Sequence, residues 1–109
     1  MNSDKSAQIR AKIAERVSRT LDYCSGLDRD AFLSNTMLQE ACVFNVLQIG
    51  ELAARAIEYG FDQKDSLVPW RQMRGMRNRI VHDYDGVRLD TVWDTIQNDF
   101  PDLLRILSL

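Results

Sequence analysis

The sequence predicts an all-α fold, a compact bundle of four main helices with one short extra helix or turn, which dimerises through the bundle. Apolar residues recur at the three- and four-residue spacing of amphipathic helices along almost the whole chain. No segment alternates apolar and polar residues over a useful length, as a half-buried β-strand would. The 109 residues suffice for one modest hydrophobic core, so we expect a single helical domain over residues 1–109.

The first helix is predicted over residues 5–24, where the apolar side chains form one stripe. Ser25 and Gly26 follow as a C-terminal stop, because glycine readily adopts the left-handed conformation that ends helices. A short helix or turn is predicted next in DRDAFLSN, with Asp28 as its N-cap.

The second long helix is predicted to begin near residues 34–36, to run to about Tyr59 and to end at Gly60. Its first half, MLQEACVFNVLQIG, is apolar on almost every side, which predicts that a partner subunit covers one of its faces. Asn45 in this run is either a buried amide with satisfied hydrogen bonds or part of a site. Gly50 costs about 1 kcal/mol relative to alanine in a helix, so we expect a tight helix contact there.

A polar loop is predicted over residues 60–68. Pro69 suits the first turn of a third helix, which is predicted to end at about His82. The sequence DYDG at residues 83–86 is typical of a turn.

The last helix is predicted from apolar residues at helical spacing in the C-terminal part of the chain. Asp90 is its predicted N-cap. Pro101 is expected to kink or restart this helix near Phe100, because proline removes a backbone hydrogen bond and clashes with the preceding turn.

Composition excludes several classes of protein. No apolar stretch approaches the roughly 20 residues that span a bilayer, and the polar N-terminus does not resemble a signal peptide, so we expect a cytoplasmic protein without a membrane partner. Cys24 and Cys42 lie far apart, and His82 is the single histidine, so we expect no metal site and no cofactor. A disulfide between the two cysteines is conceivable but not expected in a reducing compartment.

The third helix carries a local concentration of positive charge, although the formal net charge of the chain is −2. No acidic residue lies between residues 70 and 82, whereas four arginines do: Arg71, Arg74, Arg77 and Arg79. Such a cluster is either an ordinary solvated helix face or a local patch that binds nucleic acid.

Arg77 and His82 are the candidate reactive residues of this helix. On an ideal helix Arg77 lies in line with the apolar stripe, where it needs an anionic or hydrogen-bonding partner; the other members of the stripe are Trp70, Met73, Ile80 and Val81. His82 lies five residues further on, about 140° around the helix. For both to act on one phosphate, either the helix must end near His82 or the two side chains must come from different subunits.

These residue types suit metal-free RNA cleavage. An arginine can hold a phosphodiester through charge-assisted hydrogen bonds and stabilise the charge that develops in the transition state. A histidine with a pKa of about 6.5 can move protons at neutral pH. Tyr84 can stack on a base or present its hydroxyl for modification. The structural alternatives stay open, because a helix C-terminus favours a histidine without catalysis and a turn tyrosine often only packs.

The run GMRNRIVHDYDG resembles the active segment of the HEPN superfamily, specifically the HepT-like ribonuclease toxins. The signature of that family is an arginine, four residues, a histidine, one residue and a tyrosine, and it is met here by Arg77, His82 and Tyr84. LQIGELAARA at residues 47–56 is similar to the second-helix segment of the family. VWDTIQNDFPDLLRIL at residues 92–107 is similar to its closing helix.

The resemblance implies an all-α, HEPN-like homodimer whose two motifs meet at the subunit interface. It implies a metal-independent endoribonuclease that acts on RNA (mRNA or tRNA) as the toxin of a HepT/MntA toxin–antitoxin pair, with Arg77 and His82 as catalytic residues. The implied partner is an MntA-like nucleotidyltransferase antitoxin, which would transfer AMP to Tyr84. No DNA partner is predicted. Arg74, Asn78 and Arg79 do not carry over from the family and are candidates for RNA contact only.

A second function is compatible with the same resemblance. Some relatives are non-catalytic accessory subunits that help a minimal nucleotidyltransferase, and a purely structural helical dimer is the third alternative. Cleavage of RNA in the presence of a chelator separates the first function from the other two.

Overall fold

Seven α-helices and no β-strand make up the part of the chain described by the computed structural model, residues 2–82 and 86–109. The predicted all-α class is confirmed. The four main helical regions are α1, α3, α5 and the α6–α7 pair, and two short helices lie between them. In chain order the helices are α1 (Asn2–Cys24), α2 (Arg29–Leu33), α3 (Thr36–Glu58), α4 (Phe61–Lys64), α5 (Trp70–His82), α6 (Leu89–Asn98) and α7 (Phe100–Leu107).

Local sequence signals set most helix ends where they were predicted. α1 ends at Cys24 and is followed by Gly26, whose φ of 76° is the left-handed conformation that glycine adopts without strain. Gly60, with φ of 78°, stops α3 in the same way. The N-cap prediction for α2 is confirmed, because the Asp28 side chain accepts a 2.8 Å hydrogen bond from the backbone N–H of Ala31.

The C-terminal region breaks at its proline, as predicted. α6 ends at Asn98 and α7 starts at Phe100, with Pro101 in the first turn, where its missing N–H leaves no helical bond unmade. The N-cap prediction for Asp90 is wrong. α6 begins at Leu89, and Asp90 lies in its first turn, where a carboxylate is favourable against the helix dipole.

Two other boundaries differ from the prediction. α1 begins at Asn2, three residues earlier than expected. The predicted polar loop over residues 60–68 contains α4, and the reason is burial: Phe61 belongs to the core, and its ring centroid lies 5.3 Å from that of the exposed Tyr59. The predicted turn at residues 83–86 lies outside the described residues except for Gly86.

α3 is the central element of the bundle. It packs most extensively against α5 and then against α1, while α1 also contacts α7 and α2 bridges α3 and α6. The core between them is apolar, and Ile13, Val17 and Ile96 are fully buried in it. The rings of Phe32 on α2 and Trp93 on α6 lie 5.2 Å apart, which ties the short helix to the C-terminal pair.

Gly50 is the point of closest approach between α3 and α5. A Cβ atom at residue 50 would lie 2.2 Å from the Cβ of Arg77 and 2.9 Å from the carbonyl oxygen of Met73. The tight helix contact that was predicted from this glycine is confirmed. Because Arg77 lies on the other side of this contact, the close packing at Gly50 sets the position of the motif arginine relative to α3.

Within residues 2–82 and 86–109, none of the helices combines the length and the apolar composition that crossing a membrane requires.

Candidate active site

Arg77 leaves α5 at its crossing with α3 and reaches toward the surface, with 22% of its side chain exposed. Its Nη1 donates a 3.0 Å hydrogen bond to the Glu51 carboxylate on α3, and its Nε donates a 2.9 Å bond to the Oδ1 atom of Asn78. Among the residues 2–82 and 86–109, none accepts a hydrogen bond from the Nη2 group. The prediction that Arg77 needs an anionic or hydrogen-bonding partner is confirmed.

Glu51 is the site residue that the sequence did not assign. Arg55 lies one turn further along α3, at a spacing that allows a pair with Glu51, yet the structure joins Glu51 to Arg77, which lies 26 residues away in sequence. The available signal was its position next to Gly50: a residue beside the closest approach of two helices can reach the facing helix. This carboxylate neutralises part of the arginine charge and fixes the plane of the guanidinium.

His82 is the last residue of α5. Its backbone is therefore on the same helix as Arg77, and the residues that follow it, 83–85, lie outside the described part of the chain. Its side chain, and Tyr84 as a whole, lie outside the described residues. On the helix, Arg77 and His82 are separated by five residues, about 7.5 Å along the axis and about 140° around it.

The three candidate RNA contacts lie on different sides of α5. Asn78 is half-buried and bonded to Arg77, which makes it a positioning partner of the arginine. Arg79 is exposed and lines a cavity of about 170 Å³ with Gly86 and α6, on the far side of the helix from Arg77. Arg74 is half-buried.

Most of the predicted apolar stripe of α5 is buried, but one member is not. Trp70, Met73 and Ile80 belong to the core. Val81 is 57% exposed, which corrects its place in the stripe: it lies about 100° around the helix from the buried Ile80, at the edge of the apolar face. An exposed apolar residue therefore stands directly before His82.

Asn45 on α3 is buried, with 2% of its surface exposed. Its Oδ1 accepts a 3.1 Å hydrogen bond from Nη1 of Arg16 on α1, whereas its Nδ2 has no partner among the described residues. The amide is thus only half satisfied, and its one bond holds an arginine.

The two cysteines, which are distant in sequence, meet in the core. Their Sγ atoms lie 3.7 Å apart as free thiols. Burial, followed by the neighbouring Cys24, raises the pKa of Cys42 to about 12, so this thiol stays protonated at neutral pH. Among the described residues no three His, Cys, Asp or Glu side chains are grouped so that they could hold a metal ion.

Taken together, the fold and the site define an all-α bundle protein in which one arginine at a helix crossing is held by a carboxylate and an amide. The chain matches the family model described as ribonuclease HepT-like over residues 13–109. It therefore belongs to the ribonuclease HepT-like family of the HEPN superfamily, and the predicted resemblance is confirmed.

Individual relatives agree with this membership. The chain is 31% identical to "Putative RNase MJ1380" of Methanocaldococcus jannaschii over 97 residues, covering 89% of this chain and 88% of the relative. It is 32% identical to "Putative RNase TTE0752" of Caldanaerobacter subterraneus over 83 residues, covering 76% and 73%. It is 31% identical to "Probable ribonuclease HepT" of Thermococcus cleftensis over 91 residues, covering 84% and 82%. No solved structure gives a significant match.

Proposed function

We propose that this protein is a metal-independent endoribonuclease, the toxin of a toxin–antitoxin pair, which cleaves RNA with Arg77 and His82. The observation that carries the proposal is the arrangement around Arg77 in a chain of this family: Glu51 and Asn78 fix the guanidinium, and no described residue accepts a hydrogen bond from its Nη2 group. A fixed cation with spare donors fits a phosphodiester better than it fits a purely structural role, which would use up the donors.

The chemistry is an internal transfer at phosphorus. The 2′-hydroxyl oxygen of the substrate attacks the adjacent phosphorus and loses its proton to His82. The bond between phosphorus and the 5′-oxygen breaks, and that oxygen takes up a proton from His82 or from solvent. Arg77 binds the non-bridging oxygens, where negative charge builds up. The products are a 2′,3′-cyclic phosphate and a 5′-hydroxyl, and DNA, which lacks the nucleophile, is not a substrate.

The exposed face of α3 supports a homodimer with the site at its interface. Met37 is 83% exposed and Phe44 is 51% exposed, although both lie in the apolar half of this helix. Met37, Phe44 and Glu51 follow one another at seven-residue intervals along α3, so all three share one helix face. A second copy on the N-terminal half of this face would bury Met37 and Phe44 and bring its own α5 toward Arg77, while the C-terminal half of the face, from residue 48 onward, stays open. Arg77 of one subunit and the motif histidine of the other could then act on the same phosphate, although the two residues point about 140° apart on their own helix.

The antitoxin is proposed to be an MntA-like nucleotidyltransferase that transfers AMP to Tyr84. The support is the motif itself, in which Tyr84 follows His82 by two residues. Adenylation at that hydroxyl would add a phosphodiester charge and a nucleoside close to the cleavage site. Both would oppose binding of the RNA phosphate, the first by repulsion and the second by bulk.

The test is cleavage of RNA by the purified full chain, without its antitoxin and in EDTA. We expect cleavage by wild type with 2′,3′-cyclic phosphate ends, and a loss of at least about 100-fold in His82→Ala and Arg77→Ala. Arg71→Ala is the matched control, because Arg71 is an exposed arginine of the same helix that pairs with Asp62.

Three results would contradict parts of the proposal. Wild-type activity in His82→Ala would refute the catalytic assignment. An inert wild-type chain whose intact mass carries no AMP would instead favour the accessory-subunit function. A mixture of Arg77→Ala and His82→Ala chains tests the interface: activity returns if the two residues act across subunits, and stays absent if they act within one chain.

A further inference from the structure

A polar groove between α1 and α3 lies next to Arg77. We name it the α1–α3 groove, and it is lined by Lys12 and Arg16 on α1 and by Gln48, Glu51 and Arg55 on α3, around a cavity of about 370 Å³. Glu51 forms its rim and is the same carboxylate that holds Arg77. The groove therefore opens directly onto the candidate active site.

The acidic residues of the groove are already paired, whereas most of its basic residues are not. Glu15 on the groove wall accepts a 2.7 Å bond from Arg19, and Glu51 accepts from Arg77. Lys12 and Arg55 are exposed and make no ion pair with any described residue. The groove thus presents positive charge that no carboxylate in the described part of the chain pairs with.

Arg16 is held in place by a bond that leaves its charge intact. Its Nη1 donates to the neutral Asn45 amide at 3.1 Å, and its guanidinium lies 5.4 Å from the centre of the Phe44 ring. Asn45 makes this bond from the core, with its own Nδ2 left without a partner among the described residues. A buried amide with an unpaired N–H group lowers the stability of the fold, so the presence of Asn45 needs an explanation. Its hydrogen bond to Arg16, which fixes the orientation of that guanidinium, provides one.

From this arrangement we propose that the α1–α3 groove binds the RNA backbone next to the cleaved bond, with Lys12, Arg16 and Arg55 contacting flanking phosphates. The inference rests on the proposed ribonuclease function and adds to it the path of the substrate. Lys12 and Arg16, spaced four residues apart on α1, face Arg55 across the groove, so the positive charge forms two walls rather than one point. Such a channel suits a single-stranded backbone irrespective of base sequence.

The experiment measures binding of a fluorescein-labelled, mixed-sequence 2′-O-methyl oligoribonucleotide by anisotropy over a range of salt concentrations. This probe lacks the free 2′-hydroxyl and cannot be cleaved. The test variant is Lys12→Gln/Arg55→Gln. The matched control is Arg29→Gln/Arg105→Gln, which removes the same charge from exposed positions on α2 and α7.

We expect the groove variant to bind at least about 5-fold more weakly, and the slope of log K against log salt to fall in magnitude by about 1.4, the value for two lost single-strand phosphate contacts. With a cleavable RNA the loss appears in KM rather than in kcat, because the groove holds the substrate and does not act on the reacting atoms. The control keeps the wild-type affinity and slope.

Equal affinities and slopes for groove variant, control and wild type would overturn the inference while leaving the ribonuclease proposal intact. The same weakening in the control and the groove variant would also overturn it, since only net charge would then matter. If wild type neither binds nor cleaves RNA, both proposals fail together. Arg16→Gln provides an independent check, with the same direction expected in affinity.

Discussion

Replacing Gly50 by alanine tests the helix crossing that positions Arg77. The new Cβ would lie 2.2 Å from the Cβ of Arg77 and 2.9 Å from the carbonyl oxygen of Met73. Carbon atoms pack at about 3.5–4.0 Å, so the two helices must move apart locally by about 1.3 Å or more. Neither obstructing atom is the end of a flexible side chain, so rotation of a side chain cannot relieve the clash.

The magnitude follows from two opposing effects. Overpacking costs typically about 1–3 kcal/mol, and this contact belongs at the upper end. Alanine regains about 1 kcal/mol of helix propensity. We therefore expect a net loss of about 1–2 kcal/mol in the free energy of unfolding. With an unfolding entropy of about 2.1 cal/mol/K per residue, the melting temperature falls by about 4–9 °C.

Gly75→Ala is the matched control for this substitution. Gly75 lies in α5 without a positive φ, and a Cβ there meets no atom within 4 Å. Only the propensity gain applies, so its melting temperature should rise by about 4 °C. Thermal unfolding is compared at equal protein concentration, because association would shift the melting temperature. If Gly50→Ala stabilised the protein as Gly75→Ala does, the close crossing of α3 and α5 would be refuted.

Three further predictions concern the bundle and the site. Arg10→Met removes an ion pair with Asp65 and a 3.0 Å hydrogen bond to a backbone carbonyl of α7. It should lower the free energy of unfolding, measured in urea, by about 1–2 kcal/mol. Arg105→Met, which removes an exposed ion pair, is the control and should lower it by less than about 0.5 kcal/mol. Because burial raises the pKa of Cys42, the thiol contributes its full stability below pH 9, and this contribution is lost as the pH rises from 9.0 toward about 12. Cys42→Ala should therefore lose less free energy of unfolding than wild type across that pH window. The same dependence of the free energy of unfolding on pH in both proteins would contradict the burial of Cys42. Glu51→Gln removes the anion that competes with RNA for the α5 arginine, so affinity for the 2′-O-methyl probe should rise about 2–5-fold; weaker binding would mean that orienting the guanidinium matters more than neutralising it.

The helical elements were predictable because their signals are local. Apolar spacing, the glycines that end α1 and α3 and the proline of α7 each act through residues within one or two turns. The helix that was not predicted, α4, forms because Phe61 is buried in the core. That burial is a tertiary contact, and the polar residues around Phe61 give no local signal of it. The Asp90 error has a similar origin, since N-cap and first-turn positions favour the same residue types.

For the candidate site, the sequence by itself determined that Arg77 and His82 share one helix and that the motif is of the HepT type. Only the tertiary structure decided that Glu51 holds Arg77, that Asn45 holds Arg16 and that an α1–α3 groove with exposed cations opens beside the arginine. The physical reason is the range of the interactions. Spacing along one helix fixes the direction of each side chain, but the partner of a charge is set by how two helices pack, and here that packing depends on the missing side chain of Gly50.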